Sequence, residues 1–145
     1  MNLRDLRRTR DDSVAGAIRM ALGVLFLMTG VMKLAVPMLS EAFSGQLVAA
    51  EIPLIWMAKW AVPLLEIGAG LALLVGVLTR MVALIIIGIM SVAVYVHLVV
   101  EDPSMFPLQP NEPVVPLVVM AMAAHLVWRG GGSGSVDLRD VPRTG

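Results

Sequence analysis

The chain has 145 residues, 58% hydrophobic and 15% charged, with zero formal net charge and a mean hydropathy of +0.85. That length makes one domain, and that balance excludes an ordinary soluble globule in favour of an all-α polytopic membrane protein. There is no cysteine, which excludes a disulfide exchanger, a thiol nucleophile or a Cys-ligated iron–sulfur cluster within this chain.

The zero net charge conceals an asymmetry. Apart from Lys33 and Lys59, every basic residue is an arginine at 4–19, at 80 or at 129–143, whereas 37–54 and 101–113 carry Glu41, Glu51, Glu101, Asp102 and Glu112 and no arginine. Positive residues collect on the cytoplasmic side. Both termini and a turn at Thr79-Arg80 are therefore expected inside, in a bacterial cell membrane, with the two acidic loops outside. No cleavage site follows the first apolar run, so no removed signal peptide is expected.

In chain order, residues 1–13 read as a cytoplasmic tail and 14–128 as a transmembrane domain of four antiparallel helices in a bundle. The first helix runs from near Val14 to Val36, with Arg19 snorkelling inward and Pro37 setting its end. Its Gly23 and Gly30 are seven apart and mark a face open to close backbone approach. Residues 38–54 suggest a short interfacial helix, Leu39, Phe43, Leu47 and Val48 falling at helical spacing, with Phe43 dipping into the headgroups. The second helix, Ile55 to Leu78, opens on the interfacial Trp56 and Trp60. Met81 to Val100 forms the third, and the proline-rich 101–113 an outer loop. Val114 to Trp128 is a short fourth run, rising about 22 Å against about 30 Å of hydrocarbon. The Gly/Ser-rich stretch that follows gives 129–145 the composition of a flexible cytoplasmic tail.

Within the apolar segments a few polar side chains stand out. A charge at membrane depth costs roughly 2.5–3.5 kcal/mol on insertion scales, so it faces a partner or a cavity. By helical rise, Lys33 and His97 lie about 5 Å below the outer interface and Glu66 about 16 Å. Side chains lean toward their helix N-termini, so Lys33 leans inward and Glu66 outward, and the two can meet with His97 nearby. Such a pair could simply pin the bundle, or it could form a ligand or proton site. Glu101, at i+4, could hydrogen-bond His97. His125, about 12 Å from His97 in depth, cannot share a haem with it and suits an interhelical hydrogen bond. No run has the spacing of a metal site or phosphate loop, and no basic groove serves nucleic acid.

Several segments together resemble the DoxX family of membrane proteins. Gly30-Val31-Met32-Lys33 looks like the G-x-x-K end of its first helix. Glu66-Ile67-Gly68-Ala69-Gly70, with Gly76-Val77-Leu78-Thr79-Arg80, is similar to its E-x-G-x-G and G-x-x-T-R segments. Val96-His97-Leu98 resembles its third-helix end, and Glu112-Pro113 the entry to its last helix. The resemblance implies four membrane helices and association with quinone-linked sulfur oxidation or with oxidative-stress complexes, and it carries over Gly30, Lys33, Glu66, Gly70, Arg80 and His97. Many relatives carry a histidine where this chain has Thr29, so no mechanism needing that imidazole is transferred.

The expectation is thus a membrane subunit or anchor of a redox complex. Its site would be Lys33, Glu66 and His97, with Gly30 and Gly70 opening an apolar slot for a quinone. Its partners would be the lipid bilayer and either a second copy of itself or soluble redox proteins, from which the electrons would come. The alternative is a small proton-coupled transporter acting as a homodimer, in which a lone membrane carboxylate exchanges protons for substrate.

Overall fold

The computed structural model describes residues 9–100 and 112–139. The expectations for the first eight residues, for 101–111 (Glu101 as a partner of His97 among them) and for 140–145 lie outside the described residues. The described part is all helical: α1 Ser13–Ala35, α2 Pro37–Ala49, α3 Ile55–Val75, α4 Thr79–Val99, α5 Val114–Arg129 and a single turn, α6 Val136–Arg139. α1, α3 and α4 are long and apolar enough to cross a membrane, and α5 is a shorter apolar helix of 16 residues. The protein is a helical membrane bundle.

Each helix begins where local chemistry allows it. Asp12 caps α1 by accepting from the N–H of Val14 at 2.9 Å and of Ala15 at 3.2 Å, satisfying donors that have no intrahelical partner. The Ala15 N–H, helped by that of Val14 and the Arg129 charge, holds the Asp12 carboxyl below its usual range, against the desolvation that raises it. Pro37 ends α1 and opens α2, where a missing N–H does no harm. The turn after α3 lies at residues 76–78 rather than at Thr79-Arg80. Gly76 and Leu78 adopt left-handed φ of +76° and +50°, so Thr79 and Arg80 are already the first turn of α4. The second membrane helix accordingly stops at Val75, short of the expected Leu78.

The heaviest packing joins α1 to α3, and α4 to α5. Glycine makes the first seam. A Cβ on Gly70 would lie 2.5 Å from the Leu27 amide nitrogen and 2.9 Å from the Gly23 carbonyl oxygen; one on Gly30 would lie 2.7 Å from the Pro63 carbonyl oxygen. Those neighbours are backbone and cannot swing away. The expected close-approach face of Gly23 and Gly30 is therefore occupied by α3. Gly70→Ala should force the helices apart and lower stability by about 1–3 kcal/mol. Gly68→Ala, which meets nothing within 4 Å, should be silent in the same detergent melt. Equal melting of the two variants would contradict the seam. The core beneath it is small and aliphatic, with Ala15, Leu22, Leu73, Ala83, Ile86, Ala123 and Leu126 fully buried.

Two expectations about the ends of the bundle are corrected. α2 forms as a helix, but Phe43 does not point away from the protein: Leu39, Gln46 and Leu47 are buried, and the Phe43 ring turns toward the bundle, its centroid 4.9 Å from Lys33 Nζ. Residues 130–139 are not a loose tail either. They form a hook against the opposite end, with Gly131, Gly132, Ser135 and Asp137 buried. The cause is Arg19, which does not snorkel to water but is 2% exposed. Its Nε donates to the Gly131 carbonyl at 2.8 Å, Nη2 to that of Ser133 at 3.2 Å, and Nη1 to Leu73 at 2.5 Å and Leu74 at 3.0 Å. Asp137 completes the hook by accepting from the N–H of Leu78 and of Thr79, both at 2.9 Å. A carboxylate there meets the positive end of the α4 dipole.

Candidate functional site

At the α2 end, five helices enclose a cavity of about 640 Å³. α1 contributes Phe26, Thr29 and Lys33, α2 Phe43 and Gln46, α3 Val62 and Glu66, α4 Gly88, Val92 and His97, and α5 Pro116 and Val119. Most of its wall is hydrocarbon. The polar groups are few and sit where helix periodicity aims them inward.

Lys33 and Glu66 meet across the α1–α3 seam, Nζ to Oε1 at 2.5 Å, with side chains 13% and 3% exposed. The close approach at Gly30 makes this possible. Its absent Cβ would lie 3.0 Å from Glu66 Cβ, and Lys33 is one turn further along the same face. The depth gap between the two Cα atoms is thus spanned by two long side chains brought together by a backbone contact. The ammonium also lies over the Phe43 ring, a favourable cation–π position in a desolvated site. Glu66 Oε2 is buried and has no hydrogen-bond partner among the described residues.

His97 lines the same cavity. Its Nδ1 lies 2.8 Å from the Ala93 carbonyl oxygen, one turn back on its own helix. A carbonyl can only accept, so Nδ1 carries the proton, and in the neutral ring Nε2 is left as an acceptor. That Nε2 is buried with no partner among the described residues. Thr29 donates to the Phe26 carbonyl at 3.3 Å, which ties its hydroxyl to its own helix at the edge of the cavity.

The glycines divide differently from expectation. Gly30 and Gly70 do not open a slot, because the backbone and side chains of the facing helix fill the space that each leaves. Gly88 on α4 is the glycine at the cavity: a Cβ there would meet nothing within 4 Å, and the residue is exposed. It lines the cavity beside the exposed Val92 of the same helix. Thr79 and Arg80 stand at the other end of α4, where Arg80 Nη2 donates to the Trp128 carbonyl at 3.1 Å. They belong to the hook end and not to this cavity. His125 does not make the expected interhelical hydrogen bond. Its ring packs edge-on to Trp128 at 6.4 Å between centroids, and its Nε2 has no partner among the described residues. Among the described residues no three potential ligands cluster as a metal site.

The sequence profile of the DoxX family matches residues 15–98. The chain belongs to the DoxX family. The match runs from the start of α1 almost to the end of α4, so it includes Gly30, Lys33, Glu66, Gly70, Arg80 and His97. α5 and the hook lie beyond it. Searches among curated proteins and among solved structures found no match. In this DoxX-family chain, sequence reasoning missed Gln46 and Gly88 at the cavity and Asp137 at the hook, and it placed Phe43 in the headgroups instead of at the cavity. Gly88 is one of several small residues in α4, with Ala83, Ser91 and Ala93, and left no distinct signal. The others depend on how α2 and the C-terminal segment fold back.

Proposed function

We propose that this DoxX-family membrane protein is the membrane subunit of a redox complex, and that the α2-end cavity binds the headgroup of a lipid-soluble quinone. One observation carries the reading. An apolar cavity of about 640 Å³ is lined by the Lys33–Glu66 pair and by His97, polar groups in an otherwise largely hydrocarbon wall. A quinone offers carbonyl acceptors, and Lys33 Nζ on this wall has N–H groups to give one of them. The volume lies within the ~300–1,000 Å³ typical of ligand sites, and convergent polar groups in an apolar wall are their usual composition.

A quinone, when bound, supplies two-electron, two-proton redox chemistry. The chain's own residues would hold the ring and handle protons. Lys33 keeps N–H groups beyond the one given to Glu66 and can donate to a ring oxygen. Glu66 Oε2 and His97 Nε2 are the nearby proton acceptors. With no thiol in the chain, electrons would arrive from a soluble partner. The transporter alternative has less support, since it needs a lone carboxylate and Glu66 is held by Lys33.

Purification in mild detergent, with mass spectrometry of co-purifying proteins and extracted lipids, tests the proposal. Soluble oxidoreductases and a quinone are the expected companions. Gly88→Trp, whose added ring enters open space, should lose the quinone while keeping the melting temperature. A bare protein free of quinone that drives pH-dependent uptake in liposomes would overturn the reading. The proposed orientation, both termini cytoplasmic, follows from the arginine distribution. In this cysteine-free chain, Glu41→Cys should label from outside intact cells and Arg10→Cys should not; the reverse pattern would invert the topology.

A further inference from the structure

At the hook end the first turn of α4 meets the last turn of α5, and we propose that this corner binds the headgroup phosphate of an anionic phospholipid. Arg80 is half-buried, and its Nη2 donates to the Trp128 carbonyl at 3.1 Å in an exposed hydrogen bond. That carbonyl is among the last of α5, which no helical N–H reaches, so the bond holds the guanidinium in place at the surface. The other η N–H groups of Arg80 have no acceptor, and no carboxylate lies within ion-pair distance of it, among the described residues. Arg129 follows Trp128 directly. Its guanidinium lies 4.7 Å from the Trp128 ring centroid and its Nε 3.6 Å from Asp12 Oδ2. The Arg10 N–H donates to the Arg129 carbonyl at 3.3 Å, which brings a third, exposed arginine to the same corner.

The carboxylates at this end are already engaged. Asp12 caps α1 and pairs with Arg129, Asp11 accepts from the Ser133 hydroxyl, and Asp137 takes the first N–H groups of α4. The donors left for an anion are therefore guanidiniums and not the helix end. Trp128, 71% exposed beside them, is the kind of side chain that settles at headgroup level. A guanidinium is a planar fork of donors with no acceptor, and a phosphodiester offers acceptors only, so the two fit bidentately. A zwitterionic lipid has the same phosphate but adds an ammonium, which these arginines repel. Each arginine near an anionic surface is worth about fivefold in binding. At the α2 end, residues 37–54 carry Glu41 and Glu51 and no arginine, so the preference belongs to one leaflet.

Trp128 reports on this corner, because the other two tryptophans, Trp56 and Trp60, open α3 at the opposite end. The test is fluorescence quenching of the Trp56→Phe/Trp60→Phe chain in nanodiscs of phosphatidylcholine. Acyl-brominated phosphatidylglycerol or acyl-brominated phosphatidylcholine is added at equal fractions. The glycerol lipid should quench Trp128 as though bound at least about fivefold more tightly. Arg80→Gln should cut that preference by about fivefold, and Arg10→Gln, on an exposed side chain that cannot unsettle the fold, should cut it in part. In Trp128→Phe, where Trp56 and Trp60 report on the other end, the two lipids should quench alike. Equal quenching of Trp128 by both lipids would overturn the proposal. So would a preference of the same size at Trp56 and Trp60, or one that survives both arginine substitutions.

Discussion

Glu66→Gln is expected to lower the stability of the bundle by about 3–5 kcal/mol, because it strands the Lys33 ammonium in a site where its side chain is only 13% exposed. The loss is a property of the broken pair and not of the glutamate alone. Adding Lys33→Met to Glu66→Gln removes the stranded charge and should recover part of the loss, since an isosteric apolar replacement of a buried ion pair is often close to neutral. The measurement is a double-mutant cycle on thermal unfolding in detergent. A coupling of a few kcal/mol is expected, and strictly additive losses would refute the pairing. The same double mutant separates stability from function. A restored fold that still fails to bind quinone would mark the pair as part of the site, whereas restored binding would leave it only a packing device.

Arg19→Met should have an effect of comparable size at the opposite end. Arg19 donates four hydrogen bonds to carbonyls of Leu73, Leu74, Gly131 and Ser133. It thereby joins the C-terminus of α3, which cannot satisfy its own last carbonyls, to the hook that carries Asp137. Charge-assisted bonds of this kind are worth about 1.5–3 kcal/mol each where buried, although they share one side chain and do not add in full. A loss of at least about 3 kcal/mol is expected, together with protease cleavage within 130–139. Arg19→Lys should rescue little, because a single ammonium lacks the planar fork that reaches carbonyls on both sides. An Arg19→Met protein that melts normally and keeps the hook protected would show that the segment is held by something else.

Much of this architecture was legible from residue order. Hydropathy over roughly 20-residue windows marks the three long helices, because a span must satisfy its backbone internally and face hydrocarbon outside. Lys33 and Glu66 could be paired on paper from helical rise and side-chain direction alone. Gly23 and Gly30 announced a seam through their seven-residue spacing. Each of these depends on periodicity within one helix, and periodicity is a local property of sequence.

Other features depended on which surfaces meet. Gly30 and Gly70 read equally well as the walls of a slot or the halves of a contact, and only the approach of α1 to α3 makes them a contact. Phe43 could face headgroups or protein until α2 folds over the bundle end. The stretch Gly130 to Ser135 has the composition of a linker, yet Arg19, more than a hundred residues earlier, binds its carbonyls and orders it. Nothing local in a Gly/Ser run records that a guanidinium will be waiting. The cavity is the same kind of object, since five helices each supply a few side chains. Sequence thus determined the helices and the charges they carry. Tertiary packing decided which polar atoms found partners, as Lys33 and Glu66 did across the α1–α3 seam and Arg19 did at the hook.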